Sequence, residues 1–371
     1  VLLTLLSSCH DDLLDQRSRV ELPSSDFWKT LDDAEYALNG AVADVRYIFS
    51  RDYYLDGMGE YLNVSGSYMQ TTSGNEDPSV ALRNGAAYDG FYELNPSGYG
   101  GQFSNMYKYC YGGINRCNYL IEGLENMILK QTSLENVKKL EEYIGEAKLF
   151  RALIYLRLTS MWGDVPYIDQ RIYRNSEVAT ISRTPLAEVK AHMIEDLTDA
   201  IAKLPAKSGV SGRMAKPAAL ALRGKVYLYW ASWNKFGWPE LAGFTANSDE
   251  AQTAYKAAAA DFKSVIEDFG LDLYRAGGAG DSDGLGQAEK LPNYYHLFTP
   301  LSNGDPEFLL YFNFAGVGSG QSEELVRDFA GRSVEFSQCW INPRAALANR
   351  YQSITTGDFC DTLIAMPATN P

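Results

Sequence analysis

Any chemistry in this chain falls to carboxylates, aromatic rings or thiols, because its other reactive side chains are few. The 371 residues hold 47 Asp and Glu against 33 Lys and Arg, and the histidines are only His10, His192 and His296. These are scattered, no His-Glu-x-x-His run occurs, and no two of the five cysteines form a C-x-x-C pair. No metal site and no cofactor is therefore expected. No phosphate-loop motif occurs either. Two carboxylates held at a set separation across a cleft would suit glycoside hydrolysis. With so many acidic residues, candidate pairs carry no information, and most are expected on solvated helix faces.

Rings are the unusual feature. The 25 Tyr, 16 Phe and 6 Trp make up 13% of the chain, more than core filling normally demands. Tyr joins an apolar ring to a polar tip, so an excess suits wet, partly exposed binding surfaces, although most are expected to line helix seams. A net charge of −14, with no cluster of Lys and Arg along the sequence, disfavours a nucleic-acid partner or an anionic membrane face.

Among the thiols, Cys9 stands apart. Val1 to Leu6 is an apolar run, and Leu6-Ser7-Ser8-Cys9 has the form of a lipobox: a branched apolar residue, two small residues, then the cysteine to be lipidated. Residues 1–8 are then a signal-peptide remnant absent from the mature protein, and 9–25 a polar, lipid-anchored tether. Membrane attachment is expected through the lipid alone, since no later apolar stretch is long enough to span a bilayer. Cys110 and Cys117, seven apart on one helix, are about 10 Å apart along its axis, too far to bridge, and are expected as buried free thiols. Whether Cys339 and Cys360 pair is left open.

The elements that must position these groups are mostly helices. Leu31, Ala34, Leu38, Val42 and Val45 recur at helical spacing, so 31–48 reads as an amphipathic helix. Similar stripes cover 102–127 and 134–161, the latter with Ile144, Ala147, Arg151, Ile154 and Leu158 on one face and a stop at Trp162-Gly163-Asp164-Val165-Pro166. Thr184-Pro185 reads as an N-cap and first turn for a helix ending at Pro205, and Lys216-Pro217 opens another to about Trp233. A helix over 250–269 carries Ala258-Ala259-Ala260-Asp261-Phe262, small and large residues spaced as in tetratricopeptide-like pairs. Phe308–Phe312 reads as a short strand. The long loops at 51–101, 270–306 and 313–340 are aromatic and Gly-rich, and loops of that length are usually functional. The predicted class is all-α, tetratricopeptide-like helix pairs in a superhelical scaffold with little β structure, over a body of residues 26–371.

Several segments, in order, carry a resemblance. Asp26-Phe27-Trp28, Gly113-Ile114-Asn115-Arg116-Cys117-Asn118, Glu146-Ala147-Lys148 through Arg151-Ala152 to Trp162-Gly163-Asp164-Val165-Pro166, and Lys216-Pro217-Ala218-Ala219-Leu220-Ala221-Leu222 together resemble the SusD/RagB family, surface glycan-binding lipoproteins of Bacteroidetes. Asp305-Pro306-Glu307-Phe308-Leu309 extends the match. The resemblance implies a helical domain with tetratricopeptide-like repeats, lipid-anchored at the outer membrane and facing the cell exterior. It also implies a partner, a TonB-dependent SusC-like transporter to which captured oligosaccharide is delivered. Cys9-His10-Asp11-Asp12 is similar to the family's acidic surface-export signal. The family's C-terminal helices, with their "AEA"-type motif, have no counterpart, so the chain is expected to be truncated at both ends.

The function expected on these grounds is oligosaccharide binding without turnover. Sugar rings stack their C–H faces on aromatic rings, and their hydroxyls need polar partners at the rim. Trp340 is the first candidate platform, with Phe336 beside it, followed by Tyr68, Tyr88 and Tyr294, with Asn75 as a hydroxyl partner. The alternatives are a glycoside hydrolase acting on the same class of polymer and a tetratricopeptide-like protein-binding scaffold, which would leave the aromatic loops without a role.

Overall fold

The first helix begins at a capping box. Thr30 has an extended backbone, its hydroxyl accepts from the Asp33 amide, and the Asp33 carboxylate accepts from the Thr30 amide at 2.7 Å. Two orphan donors of the first turn are thereby satisfied reciprocally. Hydrogen bonds from the Thr30 hydroxyl and amide hold the Asp33 carboxyl below its usual range. From there α1 (Leu31–Phe49) buries Ala34, Leu38, Ala41 and Val45, spaced four, three and four apart and therefore on one face.

A computed structural model describes residues 27–50, 62–64, 100–238, 241, 243–274, 297–314, 341–343, 347, 350–352 and 356–358. Within them follow α2 (Gly100–Ile128), α3 (Leu134–Trp162), α4 (Leu186–Lys203), α5 (Lys216–Phe236) and α6 (Ser248–Glu267). All were expected, with ends within a few residues. Each helix packs on the next in sequence, and α3 also touches α1 and α5. Residues 129–133 are too few to let α3 do anything but return along α2. The result is an all-α array of tetratricopeptide-like pairs, in which stability is shared between neighbours. None of the described helices is long and apolar enough to cross a membrane.

Of these, α3 is the central helix. It buries residues on every side, among them Leu140, Phe150, Ile154, Tyr155 and Leu158. Two clusters form around it, one with α1 and the far half of α2 (Leu38, Leu120, Leu124, Met127), the other with α4 and α5 (Val189, Met193, Leu197, Ala218, Val226). Close approach is bought with small residues: a Cβ on Gly113 would lie 2.8 Å from an Ile48 methyl, and one on Gly224 of α5 would lie 2.7 Å from the Phe262 ring of α6. The Ala258–Phe262 small-and-large pattern is thus one side of the α5–α6 seam.

β structure among the described residues is slight. β1 (Leu62–Val64) pairs antiparallel with β2 (Ile341–Pro343), Leu62 opposite Pro343, and an isolated bridge joins Val165 to Thr184.

Two local expectations are corrected. Thr184 does not cap α4. Pro185 holds the N-cap position with no side-chain bond, the Leu186 amide donates to Asp164 at 2.8 Å, and the Thr184 hydroxyl accepts from the Tyr167 amide at 3.2 Å. The bridge to Val165 turns Thr184 toward that strand-like contact and brings Asp164 to the helix end. Nor is Phe308–Phe312 a strand. A turn at Asp305–Phe308 leads into irregular backbone, and no described strand lies alongside to pair with it. Leu309, Leu310 and Phe312 pack against the main core instead, Phe312 stacking on Phe150 at 6.1 Å.

Candidate functional site

Past α3, the chain turns at Gly163, whose φ of 69° suits glycine and whose amide donates to Thr159. Residues 166–172 then lie against α2 with no sheet to satisfy their backbone. Side chains do so instead. The Tyr111 hydroxyl donates to the Pro166 carbonyl at 2.7 Å, Asn118 donates to the carbonyls of Ile168 and Gln170, and the Tyr155 hydroxyl accepts from the Ile168 amide at 2.7 Å. Asn115 donates to the Ile172 carbonyl at 3.1 Å and accepts from the Ile172 amide at 2.7 Å.

Behind this segment sits Arg151, buried in the core. It grips Asp196 of α4 through two bonds of 2.7 and 2.6 Å, and its Nη1 donates to Asn118 at 2.7 Å and to the Asp169 carbonyl. Burial works against the Arg151 charge, but the hydrogen bonds and charge of Asp196 outweigh it and push the pKa up. Burial likewise raises Tyr111 and Tyr155, which stay neutral donors, and takes the Cys117 thiol up to about 12. Cys110 and Cys117 are buried free thiols, as expected, and burial leaves them unreactive. The Asn115, Asn118, Arg151 and Gly163–Pro166 motifs are therefore one device for shaping residues 166–172.

On the outer side of that segment lies a groove of about 560 Å³, within the usual size of small-molecule sites. Its floor is α2, through Lys108, Gly112, Asn115, Arg116 and Tyr119, and its walls are Asp44 and Tyr47 of α1 and Arg171, Ile172 and Tyr173. The α2 residues face away from the buried Cys110–Ile114–Cys117 stripe, as helical spacing dictates. Tyr47, Tyr109 and Tyr173 are 60%, 43% and 64% exposed, with Tyr47 and Tyr109 edge-to-face at 5.0 Å. Asp44 accepts from Arg116 Nε at 3.0 Å. The Arg171 guanidinium lies near two rings, 4.3 Å from the Tyr119 centroid and 4.2 Å from that of Tyr173, and Glu122 accepts from the Tyr173 hydroxyl at 3.1 Å. Exposed rings beside charged hydrogen-bonding groups are what a sugar-binding surface requires.

A second polar cluster joins α1, α3 and the 205–215 connection. Arg213 donates to Glu35 and Asn39, and its Nη1 lies 3.9 Å from the buried Glu146 Oε2, which has no hydrogen bond. Burial raises the Glu146 carboxyl to about 7, against the pull of Arg213.

The expected contacts Trp340, Tyr68, Tyr88, Tyr294, Asn75 and Phe336, and the expected anchor Cys9, lie outside the described residues, as do Cys339 and Cys360. The groove went unread in the sequence. A signal was present, since Lys108, Gly112, Asn115 and Tyr119 recur at intervals of four, three and four, but polar and aromatic residues so spaced look like any solvated helix face. Arg171 and Tyr173 gave none. Among the described residues, no group of three or more His, Cys, Asp or Glu could hold a metal.

Comparison with known proteins bears on the same region. Residues 55–228 match the SusD-like family model described as starch-binding associating with outer membrane. SusD-like protein P2 of Formosa agariphila is 32% identical over 133 residues, covering 35% of this chain and 26% of that protein. A SusD-like protein of Bacteroides ovatus is 27% identical over 222 residues, covering 59% of this chain and 34% of that protein. The chain thus spans about a quarter to a third of the length of these curated relatives. A SusD-like carbohydrate binding protein from Bacteroides fragilis has the same fold, with a TM-score of 0.58 at 19% identity, over 90% of this chain and 55% of that one. The match runs across α2, α3, α4 and much of α5, the stretch that holds the motifs building the 166–172 segment, and over it this chain is similar to the SusD-like family.

Proposed function

We propose that this protein captures oligosaccharide at the outer surface of the outer membrane and delivers it, uncleaved, to a TonB-dependent SusC-like transporter. The observation that carries this reading is the match of residues 55–228 to a family described as starch-binding and associated with the outer membrane. The carbohydrate-binding description of the Bacteroides fragilis protein, which shares the fold, supports it. In this reading Cys9 holds the lipid, residues 10–25 are the tether, and rings of the long loops, with Trp340 first and then Tyr68, Tyr88, Tyr294 and Phe336, stack on sugar while Asn75 bonds hydroxyls.

Glycan-array binding, followed by a reducing-sugar assay on each glycan bound, tests the reading. Binding to a defined oligosaccharide class with no release of reducing ends is expected. Replacing a true platform such as Trp340 by Ala should weaken binding by about 1–3 kcal/mol with little change in melting temperature. Release of reducing sugar would make the protein a glycoside hydrolase, and silence across the array would favour the protein-binding scaffold.

A further inference from the structure

The groove between α1, α2 and residues 171–173 has a charge that the whole chain does not. Against a net charge of −14 overall, its lining carries Lys108, Arg116 and Arg171 with one carboxylate, Asp44. Asp44 occupies only the Nε of Arg116, so the two Nη groups remain available. Arg171 is more telling. Its guanidinium carbon lies 4.3 Å from the Tyr119 ring centroid and 4.2 Å from that of Tyr173, and its one ion-pair partner among the described residues, Glu122, stands 3.8 Å away, beyond hydrogen-bonding distance. Two rings thus hold the guanidinium while its N–H groups have no hydrogen-bond acceptor among the described residues, and a guanidinium edge is shaped for an oxyanion. Around these cations stand the exposed rings of Tyr47, Tyr109 and Tyr173.

We propose that this groove binds acidic sugars, with the anionic group on the Arg171 edge, Arg116 and Lys108, and a pyranose C–H face on the neighbouring tyrosines. The ligand class is an oligosaccharide carrying a carboxylate or a sulfate ester. An inorganic anion would meet the cations but gain nothing from the rings. The proposal rests on the reading of the protein as a carbohydrate binder and narrows it to one groove and one charge class.

The test is calorimetric titration of the full chain with a tri-galacturonate and with its methyl ester, which keeps the rings and removes the charge. A parallel pair is a sulfated galacto-oligosaccharide and its desulfated form. At least one acidic member should bind about tenfold or more tightly than its neutral twin, as expected when a charge-assisted bidentate contact is lost, and weaken as salt rises. Which pair responds identifies the anion. Lys108→Gln and Arg171→Gln should each lower that affinity several-fold, Arg171→Lys should recover part of it, and free sulfate should compete only weakly. Lys108 is exposed, so its variant remains informative even if Arg171→Gln disturbs the fold. Equal binding of acidic and neutral twins, or acidic binding untouched by these variants, would overturn the proposal. Should neutral glycans bind on the array and no acidic one bind here, this inference fails while the carbohydrate reading stands. Should no glycan bind at all, both fail.

Discussion

Glu146 and Arg151 lie on one helix, both buried and both charged types, yet their surroundings treat them differently. Arg151 has every neighbour it needs in Asp196, Asn118 and the Asp169 carbonyl. Glu146 has a backbone hydrogen bond at Met214 and the Arg213 cation at 3.9 Å, but its Oε2 is left without a hydrogen bond, and burial outweighs these and raises its carboxyl to about 7. An acid whose folded pKa lies above its ordinary value of 4.5 binds a proton in the folded state that the unfolded chain has released. Its contribution to stability is therefore most favourable at low pH, falls as pH rises from 4.5 to about 7, and is flat above. Glu146→Gln removes that dependence. Relative to the parent, the variant should gain about 2 kcal/mol in stability between pH 5 and pH 8, read from urea unfolding of both proteins at each pH. A constant difference between the two would show that Glu146 does not titrate in this range. From the sequence, Arg151 was legible as a member of a helical face and of a family motif, but its role was not. Which partners a buried charge finds depends on segments 33 and 45 residues away.

At the scale of elements, what could be read followed from short-range rules. The apolar stripes and the Lys216-Pro217 start located helices within a few residues, because a 3.6-residue period and Pro at a first turn act locally. The exceptions were tertiary. The cap of α4 comes from Asp164, 22 residues before Leu186 and brought there by the Val165–Thr184 bridge. Asp164→Ala should cost about 0.5–2 kcal/mol, the usual range for losing an N-cap, and Asp164→Asn much less. Thermal melts of the three proteins decide it. If Thr184→Ala proved more damaging than Asp164→Ala, the assignment of the cap would be wrong. Phe308–Phe312 misled for a related reason, since its apolar residues suit a strand but found helices to pack against.

For the whole molecule, the fold was more legible than the site. An array in which each helix rests on its neighbour in sequence builds its core from adjacent stripes, so reading the stripes nearly amounts to reading the architecture. The groove instead draws on α1, α2 and residues 171–173 together, and no single stretch of sequence displays it. Attachment is also a property of the whole chain. On the proposed anchor, Cys9→Ala in the native host should move the protein from the membrane to the soluble fraction with its melting temperature unchanged, and full retention after a high-salt wash would rule the anchor out. The path of residues 166–172 is held from outside, by Tyr111, Asn115, Asn118, Arg151 and Tyr155 acting on backbone atoms. The side chains of Asp169, Gln170 and Tyr173, all exposed, take no part in that hold. Substitution can therefore change the outward chemistry of this edge residue by residue without loosening the hold on its shape.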